Sequence, residues 1–480
     1  MSARPAAPKG ASTAGESEGG QVLARTAAPK GAPANRPLWK TFLFFLLPML
    51  LSNVLQSLSG TVNNIYLGQM LGVHALAAVS GFFPVMFFFI AFTIGLGAGA
   101  SVLIGQAWGA AEPERARAVA GTALSVVLVF GLLVAVFGGL FTRPLLHALG
   151  TPPDILPDAT AYARIILIAM PGLFVYLLST AMLRGVGDTM TPLYTLAIST
   201  ATGLLLTPAL IRGWLGLPQL GVASAAWATV VGFVLASLWM GLHLRRRGSP
   251  LAPNRALLRH LRIDWQLLRA VLKVGVPTGV QMIVVSLAAV VLLSLVNGFG
   301  SAATAAYGAV NQVIAYVQFP AISIAITASV LGAQAIGAGK ADQLGRITAT
   351  ALGMNLALTG GLVLLAYLAS RPLMGLFITD PAVIEVAQQL LHIMLWSLVV
   401  FGMGSALAGV MRASGSVLVP TAITIGAVLL VEVPAAWWMS HRFGLKGIWM
   451  AYPMGFCAML LMQTAYYRAI WRHKKIQRMV

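Results

Sequence analysis

Twelve apolar stretches, each near the roughly 20 residues a helix needs to cross a bilayer's hydrocarbon, limit this chain more than any other feature. They run at about 39–63, 77–104, 118–141, 158–182, 192–211, 221–243, 269–296, 304–332, 347–369, 384–410, 418–439 and 446–468. Lipid cannot satisfy free backbone amides, so such stretches form helices or a closed barrel, and these are too long and evenly apolar for barrel strands. The expected fold class is an all-α integral membrane protein. Composition agrees: 58% of residues are apolar and 9% charged, whereas soluble proteins carry about 25% charged residues. A soluble multidomain enzyme is excluded.

Net charge is +19, from 31 Lys+Arg against 12 Asp+Glu. With the N-terminus inside, 25 of the 31 cations fall on one side: six through Lys40, Arg115, Arg117, Arg184, eight across 245–273, Lys340, Arg346, Arg412, and five across 468–478. That asymmetry predicts cytoplasmic termini in a multi-pass protein of the cytoplasmic (inner) membrane. The positive charge therefore reads as topology, with anionic membrane lipid a lesser partner and nucleic acid none. Residues 1–37 read as a disordered cytoplasmic tail: they lack an apolar period, and residues 4–11 return almost unchanged as 25–32. The single Cys457 excludes an intrachain disulfide and cysteine-based metal clusters.

The second constraint is internal repetition at an offset of 228. Gln106 and Gly109 recur as Gln334 and Gly337, Arg143-Pro144-Leu145 as Arg371-Pro372-Leu373, and Thr151 with Pro153 as Thr379 with Pro381. Arg184 and Gly187, followed by Pro192, recur as Arg412 and Gly415, followed by Pro420. Each half holds six helices, an even number, so the repeat is parallel and its axis lies along the membrane normal. The organisation read from this is an N-lobe at 38–244, a basic linker at 245–268, a C-lobe at 269–470 and a basic C-terminus at 471–480. Two such lobes suit a secondary transporter, while duplicated bundles also build ion channels.

Enzymatic signatures are missing. Residues 332–340 (GAQAIGAGK) lack the spacing of a phosphate-binding loop, and no HExxH, GxSxG or carboxylate pair at metal-ligand spacing occurs. Neither enzyme activity nor a bound cofactor or metal is expected beyond a coupling H⁺ or Na⁺. The glycines at 95, 97 and 99 read as close helix packing.

Pro48 with Gly68 and Gly72, Gly105-Gln106-x-x-Gly109, Pro171-Gly172, and residues 183–189 (LRGVGDT) with Pro192 resemble the multidrug and toxic compound extrusion (MATE) family over nearly everything beyond residue 40. The resemblance implies two six-helix lobes in a V that export amphipathic, often cationic drugs in exchange for inward Na⁺ or H⁺. It is nearer the DNA-damage-inducible branch, yet where that branch carries an acid in the first helix this chain has Asn63. Where the branch has N-x-x-x-D-P, this chain has Gly203-x-x-x-Thr207-Pro208. The carboxylates of the norfloxacin-exporting branch fall at Val285 and Phe401. A lipid-linked sugar flippase of the same superfamily is the runner-up within transport.

Of the twelve acids, eleven fall in the tail, loops or helix margins. Glu432 is left, about 21 Å into the eleventh stretch at 1.5 Å per residue. A charge there costs at least ~2.5–3.5 kcal/mol, so it reads by default as functional, here as the cation-coupling group. The repeat places Leu204 or Leu206 opposite, so the fold does not need an acid at this point. His392 is a second candidate, as a proton relay. Asn63, Asn64, Gln56, Gln281, Asn311 and Gln312 are candidate interhelix hydrogen-bonding groups or cavity residues. Arg184 with Asp188, and Arg412, are expected to hold inner-loop turns. The aromatics of 82–92 suit a hydrophobic cavity or lipid contact. The partners expected are small organic cations and lipid, with a monomer as the working unit.

Overall fold

An apolar stretch in hydrocarbon must close its own hydrogen bonds, and each stretch here does so as a helix. The computed structural model describes residues 37–479. Twelve of its helices are long and apolar enough to span a membrane. They are α1 (Leu38–Met70), α2 (Val73–Gly109), α3 (Pro113–Ala148), α4 (Leu156–Gly185), α5 (Met190–Arg212), α6 (Ala223–Arg246), α7 (Trp265–Asn297), α8 (Ser301–Gly337), α9 (Ala341–Leu368), α10 (Pro381–Ala413), α11 (Leu418–Phe443) and α12 (Leu445–His473). No strand forms among the described residues. The tail read at residues 1–37 lies outside the described residues except for Pro37.

The repeat shows in the backbone itself. Pro144 and Pro372 lack an N–H and crowd the carbonyl four residues earlier, which breaks helical geometry just upstream. The breaks are near copies: Phe141 adopts φ −104°, ψ 15°, and Ala369, 228 positions later, adopts φ −102°, ψ 16°. In the first half the kinked α3 continues, whereas in the second a separate short helix, Ser370–Gly375, follows α9.

The lobes, α1–α6 and α7–α12, meet through α1 and α2 on one side and α7 and α8 on the other. Glycines at four-residue spacing permit this approach. A Cβ on Gly95 would meet Gly279, and one on Gly99 would meet the backbone of Val271 and Gly275. A polar ladder joins α1 to α8: Thr327 to Met49 Sδ (3.8 Å), Asn53 Nδ2 to Ser323 Oγ (3.0 Å), and Ser57 Oγ to Tyr316 Oη (3.3 Å). Beyond Ser57, no hydrogen bond links the lobes among the described residues, and Gln56, Thr61 and Asn64 are exposed.

The apolar core follows the same division. One buried cluster runs through the N-lobe into the C-lobe at the end carrying the termini, through Val271, Val274, Ala328, Ala333 and Val410. At the opposite end the C-lobe keeps a separate core built on Leu292, Tyr307, Leu391 and Trp449. The lobes are thus fastened at the terminal end and parted at the other.

Candidate functional site: a buried acid and a two-fold contact between lobes

At the terminal end each lobe donates one glutamine to the other. Gln106 Nε2 donates to the carbonyl of Ala413 at 2.8 Å, and Gln334 Nε2 donates to the carbonyl of Gly185 at 2.9 Å. Donors and acceptors both differ by 228 positions, so the two bonds are related by the two-fold axis of the repeat. Glycine is required beside them, because a Cβ on Gly109 would run into the carbonyl of Gln334, and one on Gly337 into that of Gln106. On the axis, Ala333 Cβ lies 3.1 Å from where a Cβ of Gly105 would sit.

The lobes differ where chemistry is concentrated. Residues Ala427–Glu432 of α11 form a π-helical turn, with Pro434 two residues beyond its end. That proline offers no N–H and its ring crowds the carbonyl of Leu430, so the ladder re-forms with wider spacing. The corresponding α5 runs through Pro208 as uninterrupted α-helix. The widened turn directs Glu432 into the bundle, where it is 5% exposed, the one buried carboxyl among the described residues. It packs on α12: a Cβ on Gly455 would lie 2.9 Å from Glu432 Cβ and Oε2. No described side chain supplies it with a hydrogen bond or a counter-charge.

Tyr452 lies three residues before Gly455, on the same face of α12. Its hydroxyl lies 3.2 Å from that of Tyr307 on α8. Trp449 and Phe456 extend this aromatic face, and Phe401 of α10 packs on Phe456 in a tilted pair at 5.1 Å between centroids. Phe401 is therefore occupied in packing.

The remaining sequence candidates lie apart from Glu432. Asn63 meets Thr207, whose hydroxyl donates to Asn63 Oδ1 at 3.5 Å, so the two positions form one neutral pair between α1 and α5. Gln281 accepts from Thr421 at 3.4 Å. Gln56 is exposed, while Asn311 and Gln312 are half-buried and make no side-chain hydrogen bond among the described residues. His392 Nε2 bonds Ser370 Oγ at 2.9 Å, and Ser370 also receives Gln388. The structure does not bring His392 to Glu432. Nor does it pair Arg184 with Asp188. Asp188 instead accepts from the backbone N–H of Thr191 at 2.9 Å and caps α5, because the tight turn at Gly187 aims its carboxylate at the free amides of that helix. Arg412 is half-buried with an unpartnered Nε among the described residues.

A cavity of about 360 Å³ opens in the parted half of the N-lobe, lined by Asn64, Val79, Ser80, Phe82, Phe83, Met86 and Tyr162. Asn64 and two of the 82–92 aromatics thus line this cavity, and Gln56, Asn63, Gln281, Asn311 and Gln312 are not in its lining. Sequence reasoning also passed over Gly455, Tyr307 and Tyr452. Pro434 two residues after Glu432, within a helical run, was the available signal for the π turn.

The sequence pattern of the MatE family matches residues 48–209 and again 277–438. The chain is 43% identical over 445 residues to the probable multidrug resistance protein YoeA of Bacillus subtilis, covering 92% of this chain and 96% of that protein. It is 23% identical over 434 residues to the multidrug export protein MepA of Staphylococcus aureus, covering 90% and 94%. Among solved structures, a mutant of the Vibrio cholerae MATE transporter VcmN superposes with a TM-score of 0.84 at 21% identity, covering 95% of this chain and 99% of that one, which is a likeness of fold.

Proposed function

This chain belongs to the MatE family, and from that membership we propose that it is a secondary active exporter moving amphipathic, often cationic compounds out of the cytoplasm. The names of YoeA and MepA, multidrug resistance and multidrug export, support the substrate class. The observation that carries the reading is the pair of two-fold-related bonds, Gln106 to Ala413 and Gln334 to Gly185, at one end only. Two equivalent lobes fastened at one end by a few exchangeable bonds, and parted at the other, suit alternation between two openings. With the termini cytoplasmic, the fastened end faces the cytoplasm and the parted end faces outward.

Coupling falls to Glu432. Discharging a drug outward while an ion enters requires one group whose charge state links the two, and a carboxyl in the span without a fixed counter-charge serves that role. A proton or Na⁺ arriving from the open side neutralises it, and a cationic substrate competes for the same negative charge. The Asn63–Thr207 pair is neutral, which leaves the C-lobe as the seat of coupling. Purified protein in sealed vesicles should move a fluorescent organic cation uphill when a pH or Na⁺ gradient is imposed. No uphill movement under either gradient, in vesicles whose protein binds the same cation, would refute the reading.

A further inference from the structure

The last described residues do not trail away from the bundle. Trp471 is buried and donates Nε1–H to Ser414 Oγ at 3.0 Å, which roots the segment in the C-lobe. Seven residues on, Arg478 bonds Glu112 in the α2–α3 turn of the N-lobe. The backbone N–H of Met479 then donates to Gln106 Oε1 at 2.8 Å, the free oxygen of the amide that already bonds Ala413. We propose that residues 474–479 form a strap that crosses the lobe interface and holds the terminal end shut, so that its release is a step of the transport cycle. The proposal rests on the alternation of the lobes proposed above and adds the element that gates one end of it.

Two features of the repeat argue that this seat is built for the strap. Beside Gly187 in the N-lobe lies the ring of Phe45, together with Gln334. Beside its counterpart Gly415 lies the Met479 side chain, and Gln106 receives the Met479 amide. Methionine from the strap thus occupies the place that α1 fills in the other half. Charge breaks the symmetry in the same direction. Glu112 has Lys340 as its 228-offset partner, so the turn on the N-lobe side attracts Arg478 where its equivalent on the C-lobe would repel it. Arg115 sits 3.6 Å from the same carboxylate and completes the cluster. The Arg478 hydrogen bond, joined by its charge and that of Arg115, holds the Glu112 carboxyl below the usual range.

Ala333 provides the test, because it lies on the axis at 0% exposure and is uncovered only when the lobes part at this end. A single thiol is placed by Ala333→Cys in a Cys457→Ser background, and its reaction with a hydrophilic maleimide is timed in purified full-length protein. Arg478→Gln, Glu112→Gln and removal of residues 474–480 should each speed labelling at least threefold. Combining Glu112→Gln with Arg478→Gln should go no further than either alone, since both act through one bond. Labelling at the parent's measurable rate in the shortened chain, or multiplied effects in the double variant, overturns the strap while leaving alternation intact. A thiol that stays silent in every protein overturns the opening at this end along with the strap.

Discussion

Gln106 and Gln334 make two-fold-related bonds across the lobes, but only Gln106 makes a second one, to Met479. Gln334→Ala leaves the Gly185 carbonyl facing a dry interface without its donor, a loss of about 1–3 kcal/mol in the fastened state. In the parted state that carbonyl meets water, so the difference shifts the equilibrium towards opening about 5- to 150-fold. Gln106→Ala loses the equivalent bond and the strap's amide as well, another ~1 kcal/mol or about fivefold. Spin labels at Arg246→Cys on α6 and Arg346→Cys on α9, both exposed at the terminal end, report the separation by pulsed electron-electron distance measurement in a Cys457→Ser background. Both variants should gain a longer-distance population, and Gln106→Ala the larger one. Unchanged distributions in both, or a larger shift for Gln334→Ala, would refute the assignment of these amides as the fastening.

Gly455→Ala puts a methyl within 2.9 Å of both Glu432 Cβ and Oε2, so about 1–3 kcal/mol of strain falls on the coupling carboxyl; gradient-driven drug uptake should drop at least tenfold, whereas Gly203→Ala, with open space around it, should transport normally. Tyr452→Phe loses the 3.2 Å hydroxyl contact with Tyr307, a loss of about 0.5–1.5 kcal/mol, and should slow transport two- to tenfold without lowering the yield of folded protein in size-exclusion chromatography. The strap should also resist mild acid. Glu112 is held below its ordinary 4.5 by Arg478 and Arg115, so its contribution is complete above that value and is lost only as pH falls through the lowered one. Labelling of Ala333→Cys, corrected for maleimide reactivity, should therefore be constant between about pH 5 and pH 7.

The spans and the repeat were legible because each is a property of local pattern: apolar length fixes a helix, and a constant offset fixes the relation of the halves. Pro144 and Pro372 were visible as a repeated match, but the kinks at Phe141 and Ala369 that they cause emerge only from the backbone. Glu432 stood out by elimination, since hydrocarbon makes any acid conspicuous. Its surroundings did not, because Gly455 meets it from α12 and nothing in the spacing of the two residues says so. The motif Gln106-x-x-Gly109 was visible as a repeat, but that each glutamine bonds the other lobe emerges only from the two-fold packing. Arg184 with Asp188, four residues apart, read as holding the inner-loop turn together, yet the turn at Gly187 gives the carboxylate to Thr191. The C-terminal residues read only as a basic cytoplasmic terminus, because sequence does not reveal that Glu112 waits 366 positions away.

The most direct measurement compares wild type with Glu432→Gln in vesicles loaded with labelled organic cation. Two readings are taken on one preparation: exchange of labelled for unlabelled substrate without any gradient, and uphill accumulation under an imposed pH or Na⁺ gradient. If Glu432 is the group that links ion to drug, the variant retains exchange and loses uphill accumulation. Accumulation at the wild-type rate in Glu432→Gln would contradict the account.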